Sequence, residues 1–369
     1  MKKILLAAGG RPGSLLLAPL YDALNKNASY QPVAILAAPE GSEPISHDLA
    51  ASFGMVDAFQ TISLPAGSPV SQLAAAMTGM EKIMLGEQPD LVMVCGSDNV
   101  ALGAAITATK LGLKVAAADA GLRSYQRTDA DEVNRVVIDA MAEFHFVSEH
   151  SGEYNLINEG VADEKVFFSG NLAIDSLVRL MEEANKLALA ELHGVKPKKY
   201  ALLLISPAVP FSSKEPLEMI LRLAQEITGK TTLLMPLTAG LATLLHQHDL
   251  FTAFSETDGL KMIDPPNHAA LLGLLRDSLL LLTDTEELQA ESTVMNVPCL
   301  TMMDSSARPA TIEIGTNALV GSDEEEIISS IHELLHPGSH QHLTSRSKIP
   351  EKWDGAAASR IIAVLDRVL

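Results

Sequence analysis

Short apolar runs alternate with stretches of helical periodicity along most of this chain. In the first half, residues 3–8, 33–37, 91–95, 114–118, 145–147 and 166–169 read as buried strands. Residues 14–24, 71–85, 101–111 and 133–144 carry the spacing of amphipathic or buried helices. A second series of strands follows at 200–205, 231–235, 260–263, 279–283 and 298–302. A long helical stretch, 174–192, and the polar segment His193-Gly194-Val195-Lys196-Pro197-Lys198-Lys199 separate the two series. That segment reads as a linker. A last helix, 356–369, has no strand after it.

Strands alternating with helices predict βαβ units and parallel sheets. The expected fold class is α/β, with two Rossmann-like domains facing across a cleft. The expected boundaries are 1–170 for the first domain, 171–199 for a connecting helix and linker, 200–355 for the second domain, and 356–369 for the final helix. Ligands of such sheets bind outside the carboxyl ends of the strands. The segments to search are therefore 9–13, 96–99, 119–123, 206–207, 236, 264–266 and 284–287.

Composition narrows the function. Hydrophobic residues make up 47% and aromatics only 4%, so the core is aliphatic, as covered parallel sheets require. The net charge of −19 disfavours nucleic acid and anionic lipid as partners. No apolar run approaches the roughly 20 residues of a membrane span, and Arg11 and Pro12 interrupt the apolar start; a cytoplasmic location is expected. Cys95 and Cys299 sit in apolar runs and read as buried thiols. His336, His340 and His342 lack accompanying ligands at metal spacing, so no metal site is expected.

Several segments go further. Gly10-Arg11-Pro12 is followed by Ala18-Pro19-Leu20, and later come Asp119-Ala120-Gly121-Leu122-Arg123 and Glu132-Val133-Asn134-Arg135. Gly170-Asn171 precedes Ile174-Asp175, and Arg308-Pro309, Gly315-Thr316 and Leu319-Val320-Gly321 close the series. In order and spacing this set resembles the non-hydrolysing UDP-N-acetylglucosamine 2-epimerases. The resemblance implies the GT-B arrangement, a final helix packed back on the first domain, a UDP-sugar ligand and a homodimer. It also implies a reaction with no redox cofactor and no catalytic metal. The C2 proton is removed and UDP expelled to give an enzyme-bound glycal, and UDP is then added back with the proton returned to the opposite face. That chemistry needs acid/base side chains with tuned pKa values and donors for a diphosphate.

The departures cluster at the chemistry. The family glutamate and lysine of the opening turn are replaced, with Gly13 at the first position. The family G-D-T becomes Gly96-Ser97-Asp98, with Asp98 one step along. Two family glutamates are shortened to Asp119 and Asp131. The G-H-R-x-E after the second domain's first strand has no His or Arg in the segment 205–211. The D-S-G-G loop becomes Asp284-Thr285-Glu286-Glu287, placing two carboxylates where glycines let a backbone approach phosphate.

By resemblance, Asp98, Asp119 and Asp131 are the acid/base candidates. Arg11, Glu132, Arg135, Thr285, Glu291 and Arg308 are the substrate-binding candidates, with Glu291 at the ribose-binding position. From the residues alone, Asp98 and Asn99 also fit a helix cap, and Asp131 and Glu132 fit an acidic first turn. Three functions stay open: an epimerase-like enzyme with weakened or lost epimerisation, a non-catalytic homologue binding another ligand or a protein partner, and a GT-B glycosyltransferase-like enzyme.

Overall fold

The computed structural model describes residues 1–40, 43–206, 213–336 and 345–369. The chain forms two compact units: Met1–Leu180 with Glu351–Leu369, and Met181–Pro350. Both are α/β units built on a wholly parallel sheet, as the alternating pattern predicts.

Unit 1 contains β1 (Lys2–Gly9), α1 (Gly10–Lys26), β2 (Tyr30–Pro39), α2 (His47–Ser52), β3 (Phe59–Leu64), α3 (Pro69–Glu87) and β4 (Leu91–Cys95). It continues through α4 (Asn99–Lys110), β5 (Val115–Ala118), α5 (Ala130–Met141), β6 (Phe144–Val147), α6 (His150–Asn158), β7 (Val166–Phe168) and the start of α7 (Leu172–Ala184). The strand order is β3-β2-β1-β4-β5-β6-β7. Ile35, Val92, Val94 and Val115 are buried with the small residues of α4, among them Ala101, Ala104, Ala105 and Ala108. Small side chains there let the helix sit close to the sheet.

Unit 2 contains α8 (Leu189–Leu192), β8 (Tyr200–Leu204), α9 (Lys214–Thr228), β9 (Thr232–Pro236), α10 (Ala239–Gln247), α11 (Phe251–Ser255) and β10 (Leu260–Ile263). Then follow α12 (His268–Asp277), β11 (Leu280–Thr283), α13 (Glu287–Val294), β12 (Cys299–Thr301), α14 (Pro309–Glu313), β13 (Asn317–Leu319) and α15 (Glu324–Leu335). The order is β10-β9-β8-β11-β12-β13, with leucine-rich cores on both faces. The last helix, α16 (Ala357–Val368), belongs to unit 1.

Two expected elements differ. The stretch 174–192 is not one helix: α7 ends at Ala184 and α8 begins at Leu189. The polar segment 193–199 is fastened to unit 2. The Lys198 N–H donates to Asp277 O at 2.7 Å, its Nζ donates to the carbonyls of Arg276 and Ser278, and Val195 is buried.

Two motif residues have structural jobs. Pro19 lies inside α1 and cannot donate to Leu15 O. The buried Ser176 of α7 donates to that oxygen at 2.7 Å instead. Ser176→Ala is therefore expected to cost about 1–3 kcal/mol, the penalty for an unmet buried carbonyl, measured by urea unfolding. Asp175 caps α16 across the fold, accepting the N–H groups of Ala357 and Ala358 at 3.0 and 2.8 Å. The helix's own N-cap is Ala356, which has no side-chain acceptor.

Candidate functional site

In unit 1 the strand order reverses between β1 and β4, and the loops after these strands frame the point where doubly wound sheets bind ligands. Asp98 is the N-cap of α4, and its Oδ1 accepts the N–H groups of Val100 and Ala101 at 2.8 and 2.9 Å. Gly9 lies directly against this carboxylate. A Cβ on Gly9 would lie 2.5 Å from Asp98 Oδ2. Burial raises the pKa of Asp98 despite its backbone N–H donors. Gly13 has no room for a side chain, since a Cβ there would lie 2.9 Å from Cys95 O and 3.0 Å from Ala8 Cβ. The position that holds glutamate in the related motif is here a close contact between α1 and the end of β4. Arg11 sits in the first turn of α1, half-buried.

After β5, Asp119 takes a left-handed conformation, φ +63°. Among non-glycine residues, Asp is one of those that tolerate that region. The carboxylates of Asp98 and Asp119 add to the burial that pushes the Cys95 thiol up, which sets all three groups at neighbouring strand ends. Side chains hold the rest of this loop by its backbone. Asp139 accepts Gly121 N–H at 3.0 Å, and Asn155 donates to Gly121 O at 2.8 Å. Glu132 accepts the N–H groups of Ser124 and Tyr125 at 2.8 and 3.0 Å. Burial raises its pKa, but those N–H donors and Arg135 outweigh it and leave Glu132 below its ordinary value. Arg135 donates to Glu132 at 3.1 Å and to Asp129 at 3.3 Å. Asp131, next along the helix, is exposed. Asn134 donates to Ser97 O at 2.9 Å and so ties α5 to the loop after β4.

Unit 2 repeats the device at its own reversal, between β8 and β11. Asp284 follows β11, and its Oδ1 accepts the Ser206 N–H at 2.8 Å. Burial, with a smaller contribution from the Glu287 charge, pushes its carboxyl up to about 6. Thr285 lies beside Thr283, their hydroxyls 3.3 Å apart. Glu286, at the N-cap of α13, turns onto the loop after β12: its Oε1 accepts the Ala307 N–H at 2.6 Å. Gln289 holds the same loop by accepting the Ser306 hydroxyl at 2.7 Å. Arg308, the N-cap of α14, donates its N–H to Ser306 Oγ. Glu291 is buried in the middle of α13.

The raised carboxyl of Asp284 gives a pH signature. The folded state holds a proton between about pH 4 and 6 that the unfolded chain has released. The stabilisation is full below about pH 4 and is lost as pH rises through about 6, by up to roughly 3 kcal/mol. Asp284→Asn keeps an acceptor for Ser206 and is expected to melt higher than the parent at pH 8, with the gap closing at pH 4.

The structure thus brings Asp98 and Asp119 to adjacent strand ends and places Glu132 and Arg135 in one hydrogen-bonded cluster below the 119–125 loop. Thr285 and Glu286 lie on the connection between β11 and α13 in unit 2, and Glu291 lies within α13. The segment expected to lack the family histidine falls largely on 207–212, and His340 and His342 also lie outside the described residues. Among the described residues no group of three or more His, Cys, Asp or Glu is placed to hold a metal, and no helix is long and apolar enough to cross a membrane. Both cysteines are free and buried. Asp139 and Glu159 were not among the sequence candidates. The available signal was Asp139's seven-residue spacing from Glu132, which puts two acids on the buried face of one helix.

The profile of the UDP-N-acetylglucosamine 2-epimerase family matches residues 22–366. A UDP-N-acetylglucosamine 2-epimerase of Methanococcus maripaludis is 31% identical over 284 residues, covering 76% of this chain and 78% of its own. The crystal structure of Methanocaldococcus jannaschii UDP-GlcNAc 2-epimerase in complex with UDP-GlcNAc and UDP is similar over 99% of both chains, with 26% identity and a TM-score of 0.86. The Neisseria meningitidis UDP-GlcNAc 2-epimerase shares the fold over 100% of both chains, at 22% identity and a TM-score of 0.87. Profile, sequence and fold agree over nearly the whole length, and on that ground the chain belongs to the UDP-N-acetylglucosamine 2-epimerase family.

Proposed function

We propose that this protein binds a UDP-sugar, as its Methanocaldococcus jannaschii relative does, and that its epimerisation at C2 is slow or lost. The observation that carries the second half is the placement of Glu286. A helix N-terminus and neighbouring backbone N–H groups suit a phosphate. Here the chain's own carboxylate stands at the N-cap of α13 and takes the Ala307 N–H. A diphosphate binding there meets a like charge. Thr285, Arg308 and Arg11 are the groups we assign to nucleotide binding, with Glu291 toward the ribose.

We assign acid/base roles to Asp119 and Asp131. Asp98 is the weaker candidate, since two backbone N–H groups of α4 already engage its carboxylate. Glu132 and Arg135 serve as a paired frame for the 119–125 loop rather than as free ligand contacts. A shorter carboxylate at 119 or 131 withdraws a reacting oxygen, and a displacement of about 1 Å can lower a rate on the order of 100-fold.

The homodimer implied by the resemblance would use the outer face of α5. Val133, Val136 and Val137 lie there at helical spacing and are 45%, 40% and 37% exposed, an apolar stripe of the kind that marks an interface. Val136→Glu with Val137→Glu is expected to convert a dimer to monomer in sedimentation. An unchanged sedimentation coefficient would remove this surface.

The test of ligand class is the melting temperature with added UDP or UDP-GlcNAc. A ligand specific for the folded state stabilises by about 2.7 kcal/mol at 100 times its Kd. A saturable rise with either nucleotide supports the proposal. No rise at millimolar nucleotide would refute it.

A further inference from the structure

The geometry points to Asp139 as the positioning residue that sets the conformation of Asp119, acting through the backbone N–H of Gly121. This rests on the acid/base role proposed for Asp119. Asp139 is 4% exposed and lies beneath the loop, so it meets no ligand. Its Oδ2 accepts from two donors on that loop, Gly121 N at 3.0 Å and Arg123 Nη1 at 2.7 Å.

The loop leaves β5 by a path that needs such an anchor. Ala120 N–H still bonds Phe146 O of β6 at 3.0 Å, but Asp119 and Gly121 on either side are left-handed, φ +63° and +77°. Gly121 is pressed on α6: a Cβ there would lie 2.4 Å from Gly152 O. Its N–H therefore points away from the sheet and into the protein, where Asp139 takes it. An unusual backbone conformation persists only where its surroundings over-determine it. Here Asp139 and Asn155 fix the N–H and the carbonyl of Gly121, and Asp119 is two residues away.

Arg123 has a second partner, which separates positioning from mere stability. Its Nε and Nη2 pair with Glu159 at 2.9 and 2.7 Å. Asp139→Asn leaves Arg123 paired with Glu159 but weakens the acceptor at Gly121. Asp139→Glu keeps the charge beside Arg123 but moves the carboxylate oxygen by a methylene. Glu159→Gln loosens Arg123 and leaves the bond between Asp139 and Gly121 intact.

The experiment measures incorporation of solvent deuterium at C2 of UDP-GlcNAc, with UDP affinity and melting temperature for each variant. Asp139→Asn and Asp139→Glu are expected to slow exchange about 10- to 100-fold, with UDP affinity within about twofold of the parent. Asp119→Asn combined with Asp139→Asn is expected to be no slower than Asp119→Asn alone, because both act through one group. Glu159→Gln is expected to exchange within about twofold of the parent. Multiplying losses in the double variant, or a Glu159→Gln loss as large as that of Asp139→Asn, would overturn the positioning role while leaving Asp119 as a candidate. A parent that binds UDP but exchanges no C2 proton would overturn the role of Asp119 and this inference together, and leave nucleotide binding standing.

Discussion

Replacing Arg123 with Met is expected to remove about 3–5 kcal/mol of stability from unit 1, the usual cost of breaking a buried ion pair from one side. Its guanidinium is buried, bonded to Asp139 at 2.7 Å and to both oxygens of Glu159. Burial works against the charge, but the two carboxylates outweigh it and hold Arg123 protonated more firmly than usual. Without it, Asp139 stays buried with the Gly121 N–H as a donor and its paired guanidinium gone. Removing the carboxylate as well should recover part of the loss, since Asp139 is then no longer a buried charge without its cation, although the Gly121 N–H loses its acceptor. Urea unfolding of Arg123→Met, and of Arg123→Met with Asp139→Leu, tests this. A single-variant loss below about 1 kcal/mol would show that the pair contributes no more than a surface bridge.

Glu286→Gly is expected to tighten UDP binding about tenfold, or about 1.4 kcal/mol. Two like charges about 4 Å apart repel by roughly 1 kcal/mol in water and about 4 in a partly screened site. The change also frees the Ala307 N–H, which Glu286 now holds at 2.6 Å, as a donor to phosphate. Unit 2 should lose about 1 kcal/mol of stability with that bond. Tighter UDP together with a lower melting point is the signature of a carboxylate that both braces a loop and competes with the ligand. An unchanged Kd would mean that phosphate does not approach Glu286.

Much of the fold is legible in the sequence because parallel strands covered on both faces are nearly unbroken apolar runs. Residues 91–95 and 200–204 are of this kind. Edge strands are harder. β3 reads Phe-Gln-Thr-Ile-Ser-Leu, with only Ile62 and Leu64 buried, and lacks the apolar density of a central strand. The break after Ala184 is hidden because Leu189 and Ala190 of α8 continue the apolar pattern of α7. The segment 193–199 has the composition of a linker, and its attachment depends on Asp277, distant in sequence.

The site was legible as a set of motif positions and not as a set of roles. Asp98 is a chemical candidate by resemblance and a helix cap in the fold. Sequence alone left the cap open, and only the spatial contact with Gly9 fixes how fully it is engaged. Glu132 and Arg135 are substrate-binding candidates by resemblance, and in the fold Glu132 also holds the N–H groups of Ser124 and Tyr125 with Arg135 paired to it. The direction of Glu286 was beyond sequence because its partner, Ala307, is 21 residues further on. Gly13 is a missing glutamate in the motif and a crowded contact in the structure, so restoring the glutamate is not a simple reversion.

The measurement that bears most directly on the whole account is the rate of C2 epimerisation of UDP-GlcNAc by this protein beside the Methanocaldococcus jannaschii relative, each at saturating substrate and with UDP affinity measured in parallel. Measurable, weak UDP binding is expected, with a rate at least about 100-fold below that of the relative. A rate equal to the relative's, with UDP bound as tightly, would show that Asp119, Asp131 and Glu286 are compatible with full epimerase function and would contradict it.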